Sequence, residues 1–183
     1  QYENTAYEYP LHERSAEAAY AAILAYRLYE PELEGIAKTD WHQRYIDSGL
    51  RFAETYPGHA ESAAVLTTVA EDLFAQGQYD LAVAVGQLVI DKQPPVAQPL
   101  ARTAWTVIAH SHFDLNNFAA AEQAYYELRA YTPAAENQAH QDIKDRIASS
   151  IYKQGETARD DGDLDTAVTH FRRLGEVVPD SAI

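Results

Sequence analysis

Three short phrases in the sequence repeat one order of residue types at one distance from a proline. They occupy residues 77–82, 116–121 and 162–167, and each ends in an alanine that precedes a proline by 12 residues. Glycine or asparagine can adopt the left-handed conformation that ends a helix, and a polar residue can begin the next helix. Proline ends that second helix, because it cannot donate to the hydrogen-bond ladder. The phrase therefore predicts three helix–turn–helix pairs.

These pairs need neighbours in order to form a stable core. Each phrase follows a stretch in which apolar residues recur with the period of a helix. One pair cannot bury its apolar faces alone, so that neighbouring pairs stack. With 183 residues, of which 46% are hydrophobic, the chain can form one domain or one compact repeat array.

The units around the phrases resemble the tetratricopeptide repeat, which has the pattern W-x2-L-G-x2-Y, then A-x3-F, then P. The third unit matches it best, through Trp105, Ile108, Ala109, His112, Ala121, Tyr125 and Pro133. The second unit has Leu66, Val69, Ala70, Leu73, Ala82, Gly86 and Pro94. The fourth has Ile151, Gln154, Gly155, Ala158, Ala167, Phe171 and Pro179. His112 stands in place of the usual tyrosine, and Gly86 in place of an aromatic residue, where we expect looser packing.

The resemblance implies an all-α fold, a right-handed superhelix (α-solenoid) of antiparallel helix pairs with about eight or nine helices. We expect one array over residues 1–183, with a partial repeat at 1–12, repeats at about 13–57, 63–98, 102–133 and 148–181, and a helical extension at 134–147. The upstream pair is weaker: its helices are predicted at 13–29 and about 40–56, and the linker at 30–35 is too long for the standard turn. A helix within 2–9 would belong to a still earlier repeat.

The phrases are spaced unevenly, by 39 residues from Ala82 to Ala121 and by 46 from Ala121 to Ala167. Residues 94–99 supply the first excess. Residues 134–147 contain no glycine and, after Pro133, no proline, so we expect one long helix from about Ala135 to Asp160; a short helix plus a break is the alternative. The sequence has no methionine and begins in mid-repeat, which suggests a piece of a longer protein.

Composition excludes several classes of function. Lys and Arg total 14 against 28 Asp and Glu, for a net charge of −14. Binding to nucleic acid or to an anionic membrane surface needs a basic face, and no apolar run is long enough for membrane insertion. The absence of cysteine removes disulfides, thiolate metal sites and cysteine nucleophiles.

No motif predicts catalysis, a cofactor or a metal. The sequence has no Gly-x-Ser-x-Gly elbow and no phosphate-binding loop. His110 and His112 are two residues apart, so on a helix they point to different sides. Residues 160–163 resemble half of a calcium loop, but the closing glutamate is missing; a turn in which Asp163 caps the next helix is the simpler interpretation. We therefore expect a chain that is not an enzyme.

In the family that the chain resembles, the first helices line a concave groove. The equivalent positions suggest a partner-binding face, formed by Tyr26, Arg27, Thr67, Glu71, Phe74, Thr106, His110, Phe113, Tyr152, Glu156 and Arg159. Tyr26, Phe74 and Phe113 would be equivalent aromatic anchors for a peptide or helix. The alternative is that this aromatic stripe belongs to the core.

The predicted function is a non-catalytic scaffold that binds a partner protein or peptide. Repeats that bind the C-terminal tails of cytosolic chaperones clamp a carboxylate with Lys, Asn and Arg, whereas the corresponding positions here are Thr67, Glu71, Thr106, His110, Tyr152 and Glu156. The absence of a cationic clamp at these positions favours a basic or apolar partner segment. Residues 9–16 and 56–63 share the form Tyr-Pro-x-His-x-x-Ser-Ala, which resembles repeats of bacterial envelope proteins and suggests the periplasm or the periplasmic face of the outer membrane; the cytoplasm is the alternative. Two further hypotheses stay open: a structural spacer or self-association segment, and the helical arm of an enzyme whose catalytic domain lies elsewhere.

Overall fold

The structure is a computed structural model that describes residues 1–10, 12 and 14–178. The described residues form nine α-helices, one 3₁₀ turn at Glu30–Glu32 and no strand. The helices are α1 (Tyr2–Tyr7), α2 (Ser15–Tyr29), α3 (Gly35–Thr55), α4 (Ser62–Ala75), α5 (Tyr79–Ile90), α6 (Gln98–Asp114), α7 (Phe118–Tyr131), α8 (Asn137–Asp160) and α9 (Leu164–Val177). The all-α prediction is therefore confirmed.

Each helix packs against the next one along the chain, and α4 also packs against α6. The buried side chains form two clusters, one from α1 to α6 and one from α6 to α9, and the half-buried Ile90 contacts both. Among the described helices, none is both long and apolar enough to cross a membrane.

The three repeated phrases fold into the same turn. Gly77, Asn116 and Gly162 have positive φ angles of 73°, 60° and 83°. After each of them, a backbone N–H reaches back five residues, from Gln78 to Leu73 at 2.9 Å, from Asn117 to His112 at 2.8 Å and from Asp163 to Ala158 at 2.9 Å. This pattern is the Schellman motif. The predicted left-handed ends of α4, α6 and α8 are thus confirmed.

Helix caps and turns use polar residues that the sequence singled out. The Asp163 carboxylate accepts a hydrogen bond from the Thr166 N–H at 3.1 Å, which confirms it as the cap of α9. The Tyr-Pro-x-His phrases before α2 and α4 also share a turn. In both, the histidine Nδ1 accepts a backbone N–H two residues ahead at 3.1 Å, from Arg14 to His12 and from Glu61 to His59.

Glycines sit where consecutive helices cross most closely. A Cβ added at Gly86 would lie 2.8 Å from Ile108 Cγ1, and one at Gly155 would lie 2.6 Å from a ring carbon of Phe171. Gly49 meets Val69 in the same way. The expectation of loose packing at Gly86 is therefore wrong, because the missing side chain lets α5 approach α6 instead of leaving a gap.

Helix boundaries agree with the sequence in the C-terminal half better than in the N-terminal half. The long helix near 135–160 is confirmed as α8, without a break. By contrast, α3 begins at Gly35 rather than near Asp40, so it takes in the last part of the predicted linker. The predicted helix start at Glu13 and the stop at Pro179 lie outside the described residues.

Candidate binding groove

The last turns of α4 and α6 bring three of the predicted groove residues together. The rings of Phe74 and His110 have their centroids 6.0 Å apart, and those of His110 and Tyr125 are 5.6 Å apart. These side chains line a cavity of about 130 Å³, which we call the aromatic cavity. Its lining residues are Phe74, His110, Phe113, Asp114, Tyr125 and Arg146.

Phe74 and Phe113 occupy matching places in their helices. Each lies in the last turn and packs on the aromatic residue that begins the following helix, Phe74 on Tyr79 at 5.5 Å and Phe113 on Phe118 at 5.3 Å. The shared Schellman turn places them there, because it fixes the angle between the two helices. These two side chains are half-buried, so they contribute to packing and also border the cavity.

Phe113 also borders a second cavity. Its volume is about 450 Å³, and α8 and the end of α9 supply most of its wall. Its lining residues are Phe113, Asp145, Ala148, Ser149, Tyr152, Lys153, Leu174 and Val178. Because Phe113 borders both spaces, we call the two together the Phe113 groove. Tyr152, a predicted groove residue, lies in this second part.

Tyr125 is the most buried polar residue of the groove. Its side chain is 1% exposed, and its hydroxyl has no hydrogen-bond partner among the described residues. Burial raises the pKa of Tyr125 to about 12, so the phenol is neutral at physiological pH. A buried hydroxyl without a partner costs free energy, so a polar ligand atom that came within hydrogen-bond distance of it would be stabilised.

His110 is also held in its neutral form. Burial lowers the pKa of His110, and the nearby Arg146 guanidinium lowers it further, while Asp114 acts in the opposite direction. A neutral imidazole carries one N–H donor and one acceptor nitrogen. His110 therefore offers the aromatic cavity both a ring face and a hydrogen-bonding atom, without a positive charge.

The remaining predicted residues of α4 and α6 face a different environment. The hydroxyls of Thr67 and Thr106 donate to backbone carbonyls of their own helices, at Ala63 and Arg102, both at 2.9 Å. Thr67 is only 4% exposed, so it belongs to the core. Partial burial raises the pKa of Glu71, and the neighbouring Asp72 raises it further.

Glu156 and Arg159 form surface ion pairs instead of lining the groove. Glu156 pairs with Lys153 at 2.7 Å, and Arg159 pairs with Asp160 at 2.8 Å. The hydrogen bond from Lys153 lowers the pKa of Glu156. Neither residue contributes to either part of the Phe113 groove.

The upstream residues Tyr26 and Arg27 lie apart from the Phe113 groove. Tyr26 packs on Trp41, with ring centroids 5.0 Å apart, and the Trp41 Nε1–H donates to the Tyr26 carbonyl at 2.8 Å. Together they line a cavity beside α1. Arg27 lines another cavity, next to the hydrogen bond between His42 and Glu30. The structure thus brings together only part of the predicted face.

Two residues of the aromatic cavity, Tyr125 and Arg146, were absent from the predicted concave positions, whereas Asp114 directly follows Phe113 in them. Tyr125 was assigned to packing within its repeat. Arg146 lies in the first half of α8, which has no counterpart in the repeat pattern. The apolar spacing of Ile143 and Ile147, which are buried, was the available signal that α8 packs against the array along this half too.

Away from the groove, a buried carboxylate links three helices. Glu122 of α7 is 7% exposed; it accepts a hydrogen bond from Gln154 of α8 at 2.7 Å and pairs with Arg173 of α9. A cavity of about 660 Å³ lies beside this network, between the turn at Asn116 and the start of α9. No group of three or more His, Asp or Glu residues in the described part of the chain is arranged to hold a metal ion.

Comparison with known proteins does not assign the chain to a family. No family model matches the chain, and no curated protein matches it at a significant level.

Proposed function

We propose that this chain is a non-catalytic interaction module built from tetratricopeptide-like repeats, which binds a partner protein or peptide in the Phe113 groove. In this proposal the helix pairs form a right-handed superhelix, and α4, α6 and α8 line its concave side. The observation that carries the proposal is the position of Phe113, which borders both cavities, so that one aromatic side chain is common to spaces lined by α4, α6, α7, α8 and α9.

Two further features support this function. The repeated Schellman turns after α4, α6 and α8 give these helices the same relation to the helix that follows each of them. Half-buried aromatic side chains beside small ones are typical of sites that hold an extended or helical segment. Phe74 and Phe113 are such half-buried anchors, and the more exposed Tyr152 lines the second cavity together with Phe113 and the small residues Ala148 and Ser149.

The chemistry of the chain also suggests the kind of partner. With a net charge of −14, it attracts basic segments and repels acidic ones. The Tyr-Pro-x-His phrases support a place in a bacterial cell-envelope assembly, at the periplasmic face of the outer membrane or in the periplasm, with the cytoplasm as the alternative.

Site-specific crosslinking tests the proposed groove. A photoreactive benzoylphenylalanine at Ser149, which is exposed beside the groove, should crosslink to a protein from bacterial envelope extract. The same group at Ala84, exposed on the outward side of α5, is the matched control. Crosslinking of one defined protein at Ser149 and not at Ala84 would support the groove.

Variants complete this experiment. Phe74→Ala with Phe113→Ala should abolish crosslinking from Ser149, whereas Leu81→Ala with Leu88→Ala should leave it unchanged, since Leu81 and Leu88 are 53% and 54% exposed on α5. Circular dichroism checks that both variants remain helical. Crosslinking only between copies of the chain, with a mass that rises with concentration, would instead indicate the self-association segment.

A further inference from the structure

Three groups that can accept hydrogen bonds border the aromatic cavity. The hydroxyl oxygen of Tyr125, 1% exposed, has no partner among the described residues, and neutral His110 has one acceptor nitrogen. Within the described part of the chain, the Asp114 carboxylate forms no ion pair within 4 Å. A lysine ammonium has three donors and no acceptor, so these three groups suit it.

The surroundings favour a positive charge as well. The rings of Phe74, Phe113 and Tyr125 border the cavity, and the faces of aromatic rings attract cations. Phe74 and Asp114 lie in the last turns of α4 and α6, where the helix dipole also favours a cation. A volume of about 130 Å³ admits the end of one side chain and little more.

Among the described residues that line this cavity, Arg146 is the one cation, and it acts against a second one. Its side chain is exposed, and no described carboxylate lies within 4 Å of it. The guanidinium can therefore move toward solvent when another cation enters. Removal of Arg146 should therefore strengthen the binding of a cationic ligand and weaken the binding of an anionic one, so the direction of the change shows which charge the cavity prefers.

We propose that the aromatic cavity binds the cationic head of one lysine or arginine side chain from the partner segment, with Tyr125, His110 and Asp114 as acceptors and Arg146 as a competing charge. This inference rests on the proposed function, because it names the side chain that the groove recognises. It also gives a role to the buried Tyr125 hydroxyl, which has no partner among the described residues.

Small probes test the cavity directly. The protein is titrated with n-butylammonium and n-butylguanidinium, which represent the two side chains, and with butyramide and butyrate as neutral and anionic controls of similar length. NMR follows the ring signals of Phe74, Phe113 and Tyr125. We expect saturable shifts with at least one cation, at least about threefold weaker binding of butyramide and none of butyrate. Equal response to all four probes, or none to either cation, would overturn the proposal.

Three substitutions then determine the charge preference. Asp114→Asn should weaken cation binding about threefold, and Arg146→Gln should strengthen it by a similar factor. Tyr125→Phe should weaken it about threefold by removing one acceptor, while the fold is unaffected because that hydroxyl bonds to no described group. Stronger cation binding after Asp114→Asn together with weaker cation binding after Arg146→Gln would refute the inference.

The outcome separates this inference from the proposed function. If the Ser149 crosslink depends on Phe74 and Phe113 but is insensitive to Asp114→Asn and Arg146→Gln, the groove stands and the cation site falls. If butylammonium binds with the expected signs but no partner is crosslinked, the cavity is a cation site and the groove proposal fails.

Discussion

Consecutive helices pack against each other both in the α2–α3 pair and from α4 to α9, but the connections between them differ. The turns after α4, α6 and α8 are Schellman turns, whereas α2 and α3 are joined by the 3₁₀ turn Glu30–Glu32 and the extended residue Leu33. The longer connection lets α3 supply Trp41 to both Tyr26 and Tyr29, at 5.0 Å and 5.2 Å between ring centroids. Equivalent positions in a repeat alignment are therefore equivalent in space only where the turn is shared.

This difference decides where the groove begins. Phe74 and Phe113 each pack on the first residue of the next helix and so remain beside the aromatic cavity. Tyr26 has no such partner, because α3 begins at Gly35 after a longer connection, and its ring packs on Trp41 instead. The experiments below test how far the two regions differ, from the largest expected effect to the smallest.

The close crossing of α5 and α6 should be the most sensitive point of the α4–α9 region. Gly86→Phe, which restores the aromatic residue of the repeat pattern, should destabilise the fold by about 3 kcal/mol, because its Cβ would lie 2.8 Å from Ile108 Cγ1. Urea unfolding followed by circular dichroism measures the loss.

The matched control is the same substitution at Gly175, whose Cβ would meet nothing within 4 Å. It should change the free energy of unfolding by less than about 0.5 kcal/mol. Equal stability of the Gly86 and Gly175 variants would mean that the crossing is loose, as the repeat pattern suggested.

Trp41 should matter only to the N-terminal region. Trp41→Ala should cost about 2 kcal/mol, below the range for a fully buried tryptophan, because the side chain is half-buried. Amide hydrogen exchange should accelerate in α1, α2 and the first half of α3, while the ring signals of Phe113 stay unchanged.

Phe118→Ala is the counterpart in α7. It should shift the ring signals of Phe113, while the amides of α1 and α2 stay protected from exchange. Disturbance of both regions by either variant would show that they are one packing unit at this site.

The Schellman turns offer a third comparison. Gly77→Ala should cost about 1 kcal/mol, since an alanine is strained at the φ of 73°. Asn116→Gly should leave the protein as stable or slightly more stable, because glycine adopts the left-handed conformation of this position at a lower free-energy cost than asparagine. Gly58→Ala, in a loop where a Cβ meets nothing and φ is not positive, should cost nothing measurable. Thermal unfolding gives the melting temperature of each of the three variants. If Gly58→Ala lowers the melting temperature the most, this interpretation of the turns is wrong.

The sequence predicted those parts of the fold that depend on local chemistry. Gly77, Asn116 and Gly162 were identifiable because few residues accept a positive φ, and α8 was identifiable because no glycine or proline interrupts its first half. The crossing at Gly86 was misjudged, since a missing side chain can mean either a gap or a close approach, and only the distance between α5 and α6 decides.

The site was predictable only in part, for a related reason. Phe74, His110 and Phe113 follow from the repeat frame, which holds where the turn is shared. Arg146 and Tyr125 reach the aromatic cavity from α8 and α7, and their place depends on how far α8 extends back along the array. The position of Tyr26 was predicted wrongly, because the length of the 30–35 linker does not show which face of α3 packs against α2.

The smallest effect concerns pH and the buried histidines of α6. Burial lowers the pKa of His110 and of His112 below the ordinary value of 6.5. As the pH falls below 6.5, the unfolded chain binds protons at these residues before the native chain does, so stability is lost on the acid side of 6.5 and is fully present above it. Arg146 and Asp114 face His110 with opposite effects, and Asp80 acts on His112.

Glu71 and Asp72 act in the opposite direction, because burial raises the pKa of both carboxyls and the native chain then binds protons first. The histidine contribution is therefore isolated by comparing the wild type with a His110→Gln, His112→Gln variant across pH 7.5 to about 5. The free energy of unfolding of the wild type should fall more steeply than that of the variant. Parallel curves would mean that both imidazoles gain protons in the native state as easily as in the unfolded chain. The end of α6 beside the aromatic cavity would then be as accessible to water as the exposed surface of α2 and α3.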